Sequence, residues 1–213
     1  MSDSNNESDS TNQYSREVKA ILDTAREIMR EEGVASLNLQ KIAQRVGLQS
    51  TELYSFLFNH FPDVNAIYDE LFAIGMRQYR DEFASIFEEH GATWDGLQRI
   101  MEAYLSFAIQ NREIYQIMFE RPVPSFSPSE KAIQESVKLV EVAQSVFAAA
   151  KASGTITTSL SVEDTTNLFV SIMHGITAMH LANDPELPMN EGRFGSLLPA
   201  IKSILQTAWS AAS

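Results

Sequence analysis

The 213-residue sequence contains no cysteine. Disulfides and thiolate metal ligands are therefore excluded, and the composition fits a reducing compartment. No apolar run reaches the roughly 20 residues that span a bilayer. The N-terminus lacks the basic start and apolar stretch of a secretory leader, so a cytoplasmic location and no membrane partner are expected. Positive charge is scarce: 16 Lys and Arg stand against 28 Asp and Glu, a formal net charge of −12. Such a field repels nucleic acid at long range, and the basic footprint usual in nucleic-acid binders is missing. Catalytic patterns are missing too. There is no Gly-rich phosphate loop and no Gly-x-Ser-x-Gly. Of four histidines, His174 and His180 are six apart, so they do not share a helical face as an i, i+4 metal pair would. No enzyme activity, metal or cofactor is expected.

What is present is helical period. Residues 1–14 are Ser, Asn and acids without an apolar anchor, and read as a disordered acidic tail. From residue 15, Val18, Ile21, Leu22, Ala25, Ile28 and Met29 form one apolar stripe, and Gly33 stops it. Further helices are expected over about 38–46, 50–57, 63–90, 94–110, 112–120, 129–152, 162–182 and 191–211. Thr93, Ser129 and Ser161 are expected caps. In the 129–152 helix, Ile133, Val137, Val140, Ala143, Phe147 and Ala150 are expected inward. No strand alternation is evident. The fold class is all-α with about nine helices, divided into a domain over 15–62 and a larger one over 63–213.

Residues 37–61, "LNLQKIAQRVGLQSTELYSFLFNHF", carry the most specific spacing. Ile42 and Val46 lie i, i+4 on one short helix, with Ala43 small where two helices approach. Gly47 suits a tight turn, and Leu48, Leu53 and Phe56 supply apolar contacts of a second helix. This is the pattern of a helix–turn–helix whose second helix enters the major groove; the alternative is an ordinary helical hairpin. Lys41 and Arg45 are the nearest cations, i, i+4 on one helix. Neutral donors can also meet phosphate: Asn38, Gln40, Gln44, Gln49, Ser50, Thr51, Tyr54 and Ser55. With few cations, a shallow salt dependence is expected.

The stretch "ILDTAREIMREEGVASLNLQKIAQRVGLQSTELYSFLFNHFPDV" resembles the N-terminal domain of the tetracycline-repressor (TetR) family. Ile21, Leu22, Ala25, Gly33, Ile42, Ala43, Gly47, Leu53, Tyr54 and Phe56 match its pattern. "SIMHGITAM", residues 171–179, resembles the His-Gly segment of one TetR C-terminal group, with Met173 where Trp often precedes His. The resemblance implies a homodimer that sets two recognition helices on a pseudo-palindromic, double-stranded operator. It also implies an effector pocket in the C-terminal domain and a dimer bundle from the last two long helices. Three departures stand out: His60 in place of the usual Lys, Gln49 in place of the usual Ser cap, and Glu52 where Thr or Ser is common. Glu52 has two readings, accepting from a cytosine amino group or repelling phosphate.

Candidate pocket residues are Phe72, Met76, Met101, Tyr104, Phe107, Tyr115, Met118, Phe119, Phe147, Met173 and His174. Flexible Met and amphipathic Tyr suit an apolar cavity with a few polar anchors; filling a core is the alternative reading. Leu168, Ile172 and Ile176, with Leu197, Leu198, Ile201, Leu205 and Trp209, form apolar faces suited to a two-fold interface. The function expected is a repressor released from DNA by a small, largely apolar effector. The alternative is a module of the same shape that has lost DNA recognition and acts through a ligand or protein partner.

Overall fold

The computed structural model describes the backbone of residues 3–46 and 51–210, and the side chains of 16–46 and 55–210. Within these residues every regular element is helical. The helices are α1 (Asp3–Glu32), α2 (Leu39–Arg45), α3 (Thr51–His60), α4 (Val64–His90), α5 (Trp94–Gln110), α6 (Arg112–Phe119), α7 (Glu130–Ala152), α8 (Val162–Asn183) and α9 (Leu198–Trp209). None is long and apolar enough to cross a membrane.

Local chemistry explains most boundaries. The side chains of Asn38, Asp63, Thr93, Ser129 and Ser161 each accept from a first-turn N–H of the helix they precede. Gly33 and Gly91 follow α1 and α4 with φ of 90° and 64°, a region that costs glycine nothing. Two boundaries differ from the expectation. α1 begins at Asp3, where the sequence reads as a tail. α9 begins at Leu198 rather than near 191, because Arg193 N donates to Asp184 Oδ2 and a 3-10 turn over Gly195–Leu197 intervenes.

α4 is the spine. It packs against α5, α6 and α7, and α8 packs against both α5 and α7. The C-terminal half of the expected α7 stripe is inward, with Ala143, Phe147 and Ala150 buried, but in the N-terminal half Ala132 and Leu139 are buried instead, and Val146 joins them. Ile133, Val137 and Val140 are 43%, 42% and 49% exposed. The helix carries apolar residues on more than one face, and α4 selects which face is covered.

Besides the packing of α1 on α4 and α6, hydrogen bonds join the N-terminal helices to the larger body. The Tyr68 hydroxyl donates to the Val34 carbonyl at 2.7 Å. Arg26 donates to Glu113 Oε1 through Nε and to Asn111 Oδ1 through Nη2, both at 2.8 Å.

Candidate functional site

The helix–turn–helix segment is built on α1. Ile42, Ala43, Leu57 and Phe61 are buried with Ile21, Leu22, Ala25 and Ile28. This leaves the polar edge of α2 outward, with Asn38, Gln40 and Gln44 exposed. The Asn38 oxygen is already used, accepting from Lys41 N at 2.9 Å. Lys41 Nζ donates to Glu32 at 2.7 Å, and Arg45 Nη1 donates to Glu31 at 2.6 Å. Ser55 is exposed on α3. His60 places Nδ1 2.9 Å from the Phe56 carbonyl, with the two rings stacked at 4.1 Å. Its ring is thus turned onto its own helix. Thr51, Glu52 and Tyr54 lie on the α3 backbone, and their side chains fall outside the described residues. Gln49 and Ser50 lie wholly outside them, as does the turn at Gly47.

The second group lies in the larger body. Tyr104 of α5, Tyr115 of α6 and His174 of α8 come together from three helices. The hydroxyls of Tyr104 and Tyr115 stand 2.7 Å and 3.2 Å from His174 Nδ1. Phe119 packs edge-on to the imidazole at 5.1 Å, and Tyr79 and Phe107 extend the aromatic wall behind Tyr104. Burial pushes the Tyr115 phenol up to about 12 and the Tyr104 phenol further up. Burial also holds the His174 imidazole below its ordinary value, with the Glu120 carboxylate opposing. The group is therefore neutral near pH 7. A phenol donating to Nδ1 puts the ring proton on Nε2, which makes His174 a donor toward a ligand.

That imidazole has a consequence for stability. Its folded pKa lies below the unfolded value of 6.5, so the unfolded chain binds the proton first as pH falls. Stability is complete above that value and declines beneath it. In urea unfolding at several pH values, His174→Gln should lose less stability on acidification than the unaltered chain; equal losses would contradict this account.

Other expected pocket residues divide. Met76, Met101, Met118 and Met173 are buried. Met118 lies under Gly75 at the α4–α6 crossing. Phe147 is not part of the His174 group: its ring packs on Phe169 and Trp209, 5.1 Å and 6.2 Å away, beside α9. A cavity of about 450 Å³ opens elsewhere, against Met29, Arg30, Ile109, Arg112, Glu113 and Pro185. Sequence reasoning missed it because its walls come from three segments far apart in the chain. It also missed Tyr79 as a neighbour of Tyr104, although the helical spacing marks Tyr79 as inward.

The expected interface residues also divide. Ile176, Leu198, Leu205 and Trp209 are buried within the subunit, against its own core. Their side chains are covered within the subunit, where α5 and α7 pack on α8 and α5 packs on α9. Leu168 and Leu197 are 41% and 46% exposed, and Ile172 and Ile201 are half-buried. Met179 and Ile204 join them outward, Ile204 at 66%. Among the described residues no cluster of His, Asp and Glu is arranged to hold a metal.

Residues 97–193 match the tetracyclin repressor-like, C-terminal domain family. An uncharacterized HTH-type transcriptional regulator, YobS of Bacillus subtilis (strain 168), is 31% identical over 99 residues. The match covers 46% of this chain and 49% of that one, so the chain spans about half the length of this curated relative. The TetR family transcriptional regulator PfmR from Thermus thermophilus has the same fold, with a TM-score of 0.67 and 18% identity over 90% of this chain and 96% of PfmR. FadR from Bacillus subtilis, solved with stearoyl-CoA, superposes with a TM-score of 0.69 at 15% identity, covering 90% and 98% of the two chains. Residues 97–193 thus match a tetracyclin repressor-like C-terminal domain, and the chain as a whole shares the fold of TetR family regulators.

Proposed function

We propose that the chain is a DNA-binding transcriptional regulator, a cytoplasmic homodimer that a small, largely apolar effector releases from its operator. The observation that carries this reading is the α2–α3 pair: two short helices anchored on α1 by Ile42, Ala43 and Leu57, with their polar edge outward. Residues 15–62 act as the reading head and 63–213 as the effector and dimerisation body. The effector site is the Tyr104–Tyr115–His174 group with its Met and Phe surround, where neutral tips orient an apolar ligand. FadR, of the same fold, holds stearoyl-CoA, an apolar chain on a polar head; this supports an effector of apolar character. The links at Arg26–Glu113 and Tyr68–Val34 carry a shift in the body to the reading head. The reading carries no catalytic step.

The dimer face is the outward stripe of α8 and α9, namely Leu168, Ile172, Met179, Leu197, Ile201 and Ile204. A Cβ built on Gly175, within that stripe, meets nothing within 4 Å, so a second copy can approach the helix closely there. One observation favours the reading without DNA: Lys41 and Arg45 are paired with the chain's own acids.

The test is gel shift and footprinting with the duplex upstream of the chain's own coding sequence. Ile204→Glu should leave the subunit folded, give a monomer by light scattering, and weaken the specific complex by about thirtyfold or more, the scale of an interface hot spot. Absence of any specific complex at low salt would remove the repressor reading. A dimeric Ile204→Glu variant would remove this face.

A further inference from the structure

The cations that a helix–turn–helix would turn to phosphate are already engaged here. Lys41 Nζ donates to Glu32 Oε2 at 2.7 Å and to the Ser36 carbonyl at 3.1 Å. Arg45 reaches Glu31 Oε2 with Nη1 at 2.6 Å and Glu32 Oε1 with Nη2 at 3.3 Å. Glu32 therefore holds both cations, one with each oxygen. The acids come from the last turn of α1 and the cations from α2, on the outward edge of the helix–turn–helix. The hydrogen bond from Lys41 holds the Glu32 carboxyl below its ordinary value. Of the six Lys and Arg in residues 15–65, five stand in ion pairs with acids of this same chain.

A carboxylate and a phosphate offer a guanidinium or ammonium the same thing: anionic oxygens at hydrogen-bond spacing. The four side chains here are between 36% and 61% exposed, so solvent screens the pairs and they stay exchangeable. From this geometry we propose that Glu31 and Glu32 set the DNA affinity of the chain, holding Lys41 and Arg45 as internal stand-ins for phosphate that DNA must displace. The proposal rests on the DNA-binding reading above and names residues that tune it. It also gives the shallow salt dependence a cause. A phosphate that captures Lys41 or Arg45 releases its condensed counterions. The displaced carboxylate then draws cations back from solution and offsets that release. The chain thus trades raw affinity for low non-specific retention on DNA.

The experiment uses the full chain and two duplexes of equal length, one from upstream of its own coding sequence and one of unrelated sequence. Binding is read by fluorescence anisotropy across a salt series, for the unaltered chain, Glu32→Gln, the Glu31→Gln/Glu32→Gln pair, and Glu27→Gln. Glu27 is an exposed acid of α1 outside these ion pairs, so its variant reports general charge reduction alone. The double variant should bind both duplexes about tenfold tighter, with the salt slope steeper by about one to two, the value for one or two more net ions released. Glu32→Gln should fall between, and thermal melting should confirm that each variant is folded. Glu27→Gln should stay within about twofold of the unaltered chain, since Glu27 holds neither Lys41 nor Arg45 and acts only through the screened field. Unchanged or weaker binding by the folded double variant, while the unaltered chain binds its own upstream duplex, overturns the proposal and leaves the regulator reading standing. An equal gain from Glu27→Gln overturns it as well. No complex with either duplex, for any of the proteins at low salt, removes the regulator reading and this proposal together.

Discussion

Arg26→Ala should lower the unfolding free energy by about 3 kcal/mol, the lower end of the range for breaking a buried ion pair. Glu113 is 2% exposed, and its Oε1 takes the Arg26 Nε–H at 2.8 Å. Its Oε2 has no hydrogen-bond partner among the protein groups. Removing Arg26 therefore leaves a buried carboxylate with one distant cation, Arg30, whose Nε stands 3.9 Å away. It also strips the Asn111 oxygen of its donor. The loss sits at the lower end because Arg26 is 20% exposed, so solvent partly screens the pair. Glu113→Gln should cost less, about 1 kcal/mol, since the amide needs no counter-charge. Arg26→Ala combined with Glu113→Gln should then cost less than the two single losses added together, because no uncompensated charge remains. The measurement is the urea midpoint at constant m-value. A loss below about 1 kcal/mol for Arg26→Ala would mean that water from the neighbouring cavity reaches Glu113, and that burial is not what makes this pair matter. Because the pair ties α1 to the start of α6, a large loss would also mark it as a structural bridge between the reading head and the body.

Gly75→Ala should destabilise the chain by about 1–2 kcal/mol, although alanine is the better helix former by about 1 kcal/mol. Gly75 lies in the middle of α4, where α6 crosses closely. A Cβ there would stand 2.4 Å from Ile114 Cγ2 and 2.7 Å from Met118 Sδ. The thioether can swing aside. The β-branched Ile114 is stiff at χ1 and fully buried, so it cannot. The helices must therefore separate, and α6 carries Tyr115 and Phe119 with it. Those rings meet His174, so, with the effector site proposed above, the same substitution should weaken effector binding as well as stability. Ile114→Leu moves the branch away from Cβ and should recover part of the stability lost by Gly75→Ala. An alanine variant as stable as the parent chain would show that the α4–α6 contact is looser than the geometry implies.

These two residues show where local reading stops. A lone glycine inside a long helical pattern hints at a close approach, but nothing near Gly75 names α6 as the neighbour. Arg26 and Glu113 are 87 residues apart, and His174 is 70 and 59 residues from the two tyrosines whose hydroxyls it meets. The α7 stripe of Ile133, Val137 and Val140 fits helical period as well as the stripe that α4 covers. Period alone could not choose between them. Asn38 reads as a DNA donor by residue type; its oxygen also caps α2, leaving its amide nitrogen as the donor. Phe147 reads as a pocket residue, yet it packs beside Trp209. Each of these side chains has a second use that only its neighbours reveal.

The chain's own residues determined its helices, most of their caps and stops, and the apolar face that seats α2 and α3 on α1. Those features depend on hydrogen bonds and side-chain spacing within a few turns, which a short window of residues contains in full. The crossing of helices decided the rest: the Tyr–Tyr–His group, the buried Arg26–Glu113 pair, the tight pass at Gly75, and the capture of Lys41 and Arg45 by Glu31 and Glu32. Such meetings depend on which helix faces cover one another, and that is a property of the whole packed body rather than of any segment in it.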